Sequence, residues 1–267
     1  MRYRGNIILA AHRGDRKTCP ENTMPAFRRA IAFGVDMIET DVRMTCDGEL
    51  VIMHDRNPKR TTGWDGIINE MTLEEVKRLD AGAWFSDEFR HTRVPTVAEF
   101  IALIKKTNVQ INWELKDYPK DVGEVLAFAA VDKLIALIEE NGLTDRSMVN
   151  SFSDQVLEYI HLKHGRKFPI HGQGIGNCRK AIDRASVSPT ALYDWCCLYP
   201  DTPGMQPLDF PANFEYCAAN GILSCVCVPD TLQTYRAYVE LGCRMFTSND
   251  IYEADRILKE LGVRGEL

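Results

Sequence analysis

No stretch of this 267-residue chain is apolar for long enough to cross a bilayer, which takes about 20 consecutive residues in a helix. The apolar core of the N-terminal MRYRGNIILAAHRG is too short for a secretion signal. Basic residues are the minority, 32 Lys and Arg against 38 Asp and Glu, so the net charge of −6 leaves no broad basic stripe for nucleic acid. A small anionic ligand remains compatible, because local Arg and Lys can outweigh the global sign. No C-x-x-C pair or zinc-type spacing occurs, and no repeat, low-complexity tract or flexible linker stands out. The nine cysteines are odd in number and lie mostly in apolar or helical patterns, as at Cys196-Cys197, Cys217, Cys225, Cys227 and Cys243. That pattern reads as buried free thiols in a reducing compartment. These absences predict a soluble cytoplasmic protein with no stable membrane insertion and no nucleic-acid partner, and they leave the oligomeric state open.

Short apolar runs alternate with amphipathic segments almost from end to end. Extended runs are expected at Asn6–Ala11, Met37–Val42, Leu50–Met53, Val109–Leu115, Ser147–Phe152, Phe168–Gly172, Ala191–Cys197, Ile222–Val228 and Cys243–Thr247. Helices are expected at Met24–Phe33, led by Asn22-Thr23 and stopped by Gly34, and at Asp121–Asn141. Others follow Ser153-Asp154 to His164 and lie near Arg179–Ala185, Ala212–Asn220, Thr231–Leu241 and Tyr252–Leu261. Thr72-x-x-Glu75 and Thr96-x-x-Glu99 fit capping boxes ahead of helical periodicity. Such alternation predicts an α/β fold with a parallel sheet, and about eight units in one chain suit a single-domain (β/α)8 TIM barrel over residues 1–267. A doubly wound open sheet is the alternative, but no G-x-G-x-x-G follows the first run. The stretch Arg56–Pro95 is long for a barrel loop and carries Trp64, Trp84, Phe85 and Phe89, so a small insertion subdomain at about residues 56–95 is expected.

Within this pattern, MIETDVRM at 37–44 places Glu39 and Asp41 on one face of a strand that otherwise reads as buried. Ionised carboxylates inside a core are costly unless a cation or many donors compensate them. Other ionisable residues fall at strand ends, where barrel chemistry gathers: His12-Arg13-Gly14, His54-Asp55, and Glu114 with Lys116 close behind. An all-oxygen carboxylate set favours a hard cation such as Mg²⁺ or Ca²⁺. The competing reading of Glu39 and Asp41 is a solvated edge strand, since Arg43 continues the polar face.

HRG at 12–14, PENT at 20–23, GVDMIETDVRMTCDGELVIMHD at 34–55 and ELK at 114–116 together resemble the glycerophosphodiester phosphodiesterase family. RTTGWDG at 60–66, LDAGAWFSDEF at 79–89 and RVPTVAEF at 93–100 are similar to that family's insertion, with weaker support from NSFS at 150–153. The resemblance implies a TIM barrel that hydrolyses a phosphodiester with a divalent metal. It implies Glu39, Asp41 and Glu114 as metal ligands and His12 and His54 as the acid–base pair. Arg13 and Lys116 would contact phosphate, with Glu21 and Asn22 supporting from behind, although helix capping is a sufficient account of Asn22. The implied partner is a small-molecule phosphodiester: a glycerophosphodiester first, a lysophospholipid or sugar phosphodiester second. A noncatalytic phospho-ligand-binding barrel and a route through a cyclic phosphate are the rivals.

The C-terminal half departs from the family pattern. Val226-Cys227-Val228-Pro229 stands where members often carry Trp-Thr-Val-Asn, and Ser248-Asn249-Asp250-Ile251 where Thr-Asp-x-Pro is usual. The expected consequence is an altered pocket wall and altered leaving-group specificity, with the catalytic set untouched. Pro203–Pro207 suggests an unusual loop. His91, His161, His164 and His171 lack carboxylate partners at metal-ligand spacing, Lys116 could pair with Asp117 on the surface, and packing is the default role for Phe152, Trp64 and Trp84.

Overall fold

Nine strands join in one sheet in the computed structural model, which describes residues 6–176, 178, 192–198, 211–229 and 231–265. In chain order they are β1 (Ile8–His12), β2 (Met37–Met44), β3 (Leu50–Ile52), β4 (Gln110–Leu115) and β5 (Ser147–Ser151). They continue as β6 (Ile170–Gln173), β7 (Trp195–Cys197), β8 (Leu223–Cys227) and β9 (Met245–Ser248). All but β3 pair in parallel, and β9 returns to β1 through Ile8↔Met245 and Ala11↔Ser248, closing the (β/α)8 barrel. The run ending in His54 is not a ring strand. It folds back antiparallel on β2, with Val42 opposite Ile52 and Met44 opposite Leu50.

Helices α1 (Met24–Phe33), α2 (Val97–Ile104), α3 (Glu124–Glu140), α4 (Asp154–His164), α5 (Pro211–Ala219), α6 (Leu232–Glu240) and α7 (Ile251–Glu260) flank the ring. Thr96 and Glu99 form the expected capping box, Ser153 Oγ accepts from Val156 N, and Thr231 and Thr234 cap α6. The helix expected over Asp121–Asn141 is broken at Gly123, whose φ of +78° ends one short turn and begins α3. Thr72 also caps, but its helix stops after Val76. The helix expected near Arg179–Ala185 and the Pro203–Pro207 loop lie outside the described residues.

Strand alternation divides the core into two layers. Ile8, Ala10, Met37, Met148, Trp195, Cys197, Cys225 and Met245 fill the barrel. Residues of the other parity, such as Leu9, Ile38, Ile111 and Trp113, pack outward against Phe27, Phe100 and the helices. The segment between β3 and α2 gathers Ile68, Met71, Val76, Leu79, Ala81 and Val94 around Val51 and Met53. It leaves Trp64 54% and Trp84 41% exposed, the latter edge-on to Phe85 with its Nε1 donating to the Ala81 carbonyl at 3.0 Å. Among the described residues no helix is long and apolar enough to cross a membrane.

Candidate active site

The end of β1 makes a sharp turn that only particular residues allow. Arg13 adopts φ +61° and Gly14 φ +80°, the left-handed region that side chains adopt at a cost. A Cβ on Gly14 would also stand 2.8 Å from the backbone of Ala26, so the glycine lets α1 approach the turn. The Arg13 amide donates to the Glu39 carbonyl at 3.0 Å and to its Oε2 at 3.1 Å. His12 and Arg13 are thereby set over β2.

Glu39 and Asp41 point into the barrel from β2, and Glu114 does so from β4, where it is the register partner of Asp41. Carboxylate oxygens of the three lie within 4.8 Å of one another, and all three residues are buried. Burial, then repulsion by Asp41 and Glu114, pushes Glu39 well above the usual carboxylate range. Burial raises Glu114 too, against the pull of Lys116. For Asp41 burial also acts upward, but Lys116 and Arg13 outweigh it and hold the carboxyl at about 2. Glu39 Oε1 and Asp41 Oδ1 are buried without a hydrogen bond. Unsatisfied buried carboxylate oxygens on β2, faced by Glu114 from β4, fit a hard divalent cation.

Positive groups rim this cluster. Lys116 Nζ donates to Glu114 Oε1 at 2.7 Å and lies 3.7 Å from Asp41 Oδ1. Arg13 Nε lies 3.2 Å from Asp41 Oδ2, while its Nη1 donates to Glu21 at 2.7 Å. Glu21 also receives Arg16 and Arg60, so one buried carboxylate gathers three guanidiniums. Asn22 is not a helix cap. It sits at φ +55°, donates to Asp41 Oδ2 at 2.7 Å and accepts from Thr40.

Arg43 and Asp117, absent from the sequence-based site, hold two of its loops. Arg43 is buried and donates to the His54 carbonyl at 2.7 Å, the Lys116 carbonyl at 3.1 Å and Asp117 Oδ1 at 3.1 Å. Asp117 in turn accepts from the Met44 amide and from Asn69. The solvated-edge alternative for Glu39 and Asp41, which leaned on Arg43, does not hold, and Lys116 pairs with buried Glu114 instead of with Asp117 on the surface. Phe152, 39% exposed, places its ring 5.3 Å from Lys116 Nζ.

The two histidines have different partners. His54 Nδ1 meets Asp55 Oδ1 at 2.6 Å, and Arg60 Nε fixes the other Asp55 oxygen at 2.6 Å. His12 Nδ1 instead donates to the neutral Asn249 Oδ1 at 2.6 Å, leaving Nε2 3.9 Å from Glu39 Oε2. Burial, then Arg13, pushes the His12 pKa down to about 3. Burial also lowers His54, with Asp41 acting against it. The Asn249 departure thus reaches a histidine of the expected catalytic set, which the sequence expectation leaves untouched.

A profile described as the "Glycerophosphoryl diester phosphodiesterase family" matches residues 12–265. The chain belongs to this family. It is 41% identical over 163 residues to a glycerophosphodiester phosphodiesterase of Caldanaerobacter subterraneus subsp. tengcongensis, covering 59% of this chain and 65% of that protein. It is 31% identical over 159 residues to glycerophosphodiester phosphodiesterase 1 of Mus musculus, covering 59% of this chain and 46% of that protein. The matched stretch is thus under two-thirds of either relative's length. Among solved structures, an Oleispira antarctica phosphodiesterase in complex with the product sn-glycerol-3-phosphate superposes with a TM-score of 0.80 at 21% identity, covering 94% of this chain and 96% of that one. A glycerophosphodiester phosphodiesterase from Agrobacterium tumefaciens gives 0.71 at 24% identity, covering 92% and 97%. At these identities the two structures speak to the fold of the family.

Proposed function

We propose that the protein is a metal-dependent phosphodiesterase, one barrel domain with an insertion at 56–95, that hydrolyses glycerophosphodiesters to sn-glycerol 3-phosphate and an alcohol. The observation that carries this is the buried Glu39, Asp41 and Glu114 cluster with His12 beside Glu39, His54 acting on Asp41, and Arg13 and Lys116 at its rim. Family membership supplies the substrate class. The three carboxylates would hold Mg²⁺ or Ca²⁺, which when bound polarises phosphoryl oxygens and organises the charge of the reacting group. Arg13 and Lys116 are placed to bind the remaining phosphate oxygens, the first as a fork and the second as a point charge.

The Nδ1 partners divide the proton transfers. Asn249 accepts the His12 Nδ1 proton, so the His12 Nε2 lone pair is free to take a proton from attacking water. Asp55 supports the charged form of His54, suiting it to protonate the departing alkoxide. One phosphorus–oxygen bond forms from water and one to the alcohol breaks, with one proton taken and one returned. The free thiols, mostly buried, support a reducing cytoplasmic setting.

The test is release of glycerol 3-phosphate from glycerophosphocholine, with EDTA and then with Mg²⁺ or Ca²⁺ restored. Metal-dependent release is expected. No release from protein that still binds the metal would favour a noncatalytic phosphate-binding barrel. A cyclic phosphate lacking label from heavy-oxygen water would replace direct hydrolysis by attack of the substrate's own hydroxyl. The exposed Phe152 beside Lys116 favours one second reading, a lysophospholipid whose chain rests on that ring.

A further inference from the structure

The cavity under the carboxylates has a second wall of different chemistry. It measures about 20 Å³, and its lining joins His12, Glu39 and Glu114 to His171, Cys197 and Cys227. A space of this size holds one small guest. Cys197 and Cys225 are register partners on β7 and β8, and their Sγ atoms stand 3.7 Å apart. One ligand atom from each of His171, Cys197 and Cys225 lies within 4.8 Å of the other two. Two thiolates bound to one tetrahedral zinc at about 2.3 Å stand about 3.8 Å apart, so the pair already has the spacing of shared ligands.

The imidazole is the informative member. His171 is 1% exposed, and its Nε2 is buried with no hydrogen bond. Polar atoms in cores are as a rule paired. Its Nδ1 is held by the Asn112 amide at 3.2 Å, and Asn112 is held by Asn150 at 2.7 Å. A fixed partner on the far nitrogen is what orients a metal-binding histidine. Two neighbouring thiols alone are ordinary core packing. A buried imidazole with an idle nitrogen beside them is not, because an aliphatic side chain would fill that space without stranding a polar atom.

We propose that His171, Cys197 and Cys225 form a second cation site that takes a borderline or soft divalent ion such as Zn²⁺. Sulfur and imidazole nitrogen select this class, as the oxygen set above selects Mg²⁺ or Ca²⁺. The fourth position is left to a group in the cavity. On binding, two S–H bonds break, two sulfur–metal bonds form, and two protons leave to solvent. The imidazole coordinates through Nε2 with its proton on Nδ1, which asks the linked Asn112, Asn150 and Gln173 amides to turn over together so that the Asn112 oxygen, now accepting from Asn150, faces Nδ1 instead. Two thiolates and a neutral imidazole cancel the charge of the ion, so the loaded site adds no net charge to the barrel interior.

The test is titration of the full chain with Co²⁺ under excess Mg²⁺, following the thiolate-to-cobalt charge-transfer absorption. A band saturating at one equivalent is expected, bleached by Zn²⁺ and lost in Cys197→Ser and in Cys225→Ser. It should persist in Cys46→Ser, which removes the exposed thiol, and in Glu114→Gln. No band from folded wild-type protein, or an equal band in the Cys197→Ser and Cys225→Ser variants, would overturn the site. X-ray absorption of the zinc-loaded wild-type chain decides the matter should those variants not fold. Two sulfur ligands and at least one nitrogen are expected, and a sulfur-free shell refutes the proposal.

Discussion

His12 Nδ1 lies 2.6 Å from the side-chain oxygen of Asn249, 237 positions away along the chain. The contact spans the closure between β9 and β1, and it gives this histidine an uncharged partner while His54 has the Asp55 carboxylate. Asn249→Ala should leave the ring without its orienting acceptor and lower kcat roughly 10- to 100-fold, with KM little changed. Asn249→Asp should stabilise the imidazolium, so His12 loses its proton only at higher pH. The acidic limb of kcat/KM then moves upward, and superimposable pH–rate profiles would discard the role of Asn249.

His54→Ala and His12→Ala should each cost about 10²- to 10⁴-fold on a glycerophosphodiester, whose alkoxide leaves poorly. They should part company on an aryl ester whose phenolate needs no proton. There His54→Ala recovers most of the rate and His12→Ala does not. Equal recovery in both would reverse or remove the assignment.

Glu114→Gln removes one anionic oxygen from the buried set and frees Lys116 from its 2.7 Å bond. Affinity for Mg²⁺ or Ca²⁺ should fall by an order of magnitude or more, as changes near a metal shell commonly cost 10- to 100-fold. Isothermal titration reads this directly, and an unchanged affinity would take Glu114 out of the ligand set.

Glu21 should contribute a pH-dependent part of stability. Burial acts to raise its carboxyl, but Arg60, Arg13 and Arg16 outweigh this and bring it from 4.5 to about 2. A folded pKa below the unfolded one means stabilisation that is complete above about 4.5 and lost as pH falls toward 2. The shift corresponds to about 3 kcal/mol at neutral pH. Urea unfolding of Glu21→Gln should show a loss of that order at pH 7 that shrinks toward pH 3. A constant difference across that range would assign the loss to packing instead.

The chain signals its catalytic candidates well because strand periodicity and strand ends are local properties. Glu39, Asp41 and Glu114 project inward from β2 and β4, and His12 ends β1. The partners that orient them are not local. Arg43 continues the polar face of β2 and looks solvated in sequence, yet it is buried against the His54 and Lys116 carbonyls. Asn249 shows itself only as a departure from Thr-Asp-x-Pro, and pattern alone does not say whom it meets. His171, set aside for want of a carboxylate neighbour, faces sulfur instead.

Other features carry local signals. The linker Thr45–Glu49 is too short for the crossover of a dozen or more residues that a parallel strand needs, so the extended run at Leu50–Ile52 returns antiparallel. Gly123 inside the Asp121–Asn141 pattern was a sufficient warning of a break. Exposure of Trp64 and Trp84 had no such signal, because aromatic rings in a loop pattern carry no periodicity.

The antiparallel return of β3 makes one half of the site a neighbourhood affair. Glu39, Asp41 and His54 all lie on one hairpin, closed by backbone bonds such as Met53 N to Asp41 O at 3.0 Å. A short loop closes at little entropic cost, so these three can find one another before the ring exists. His12 is set over β2 by the neighbouring β1–β2 pairing, but its partner Asn249, and Glu114 on β4, arrive only when distant parts of the chain meet. Destabilising the β9–β1 seam should therefore strip His12 of its orienting acceptor first, while the β2–β3 ribbon still carries two carboxylates and the second histidine. Competence for chemistry, on this view, reports ring closure itself.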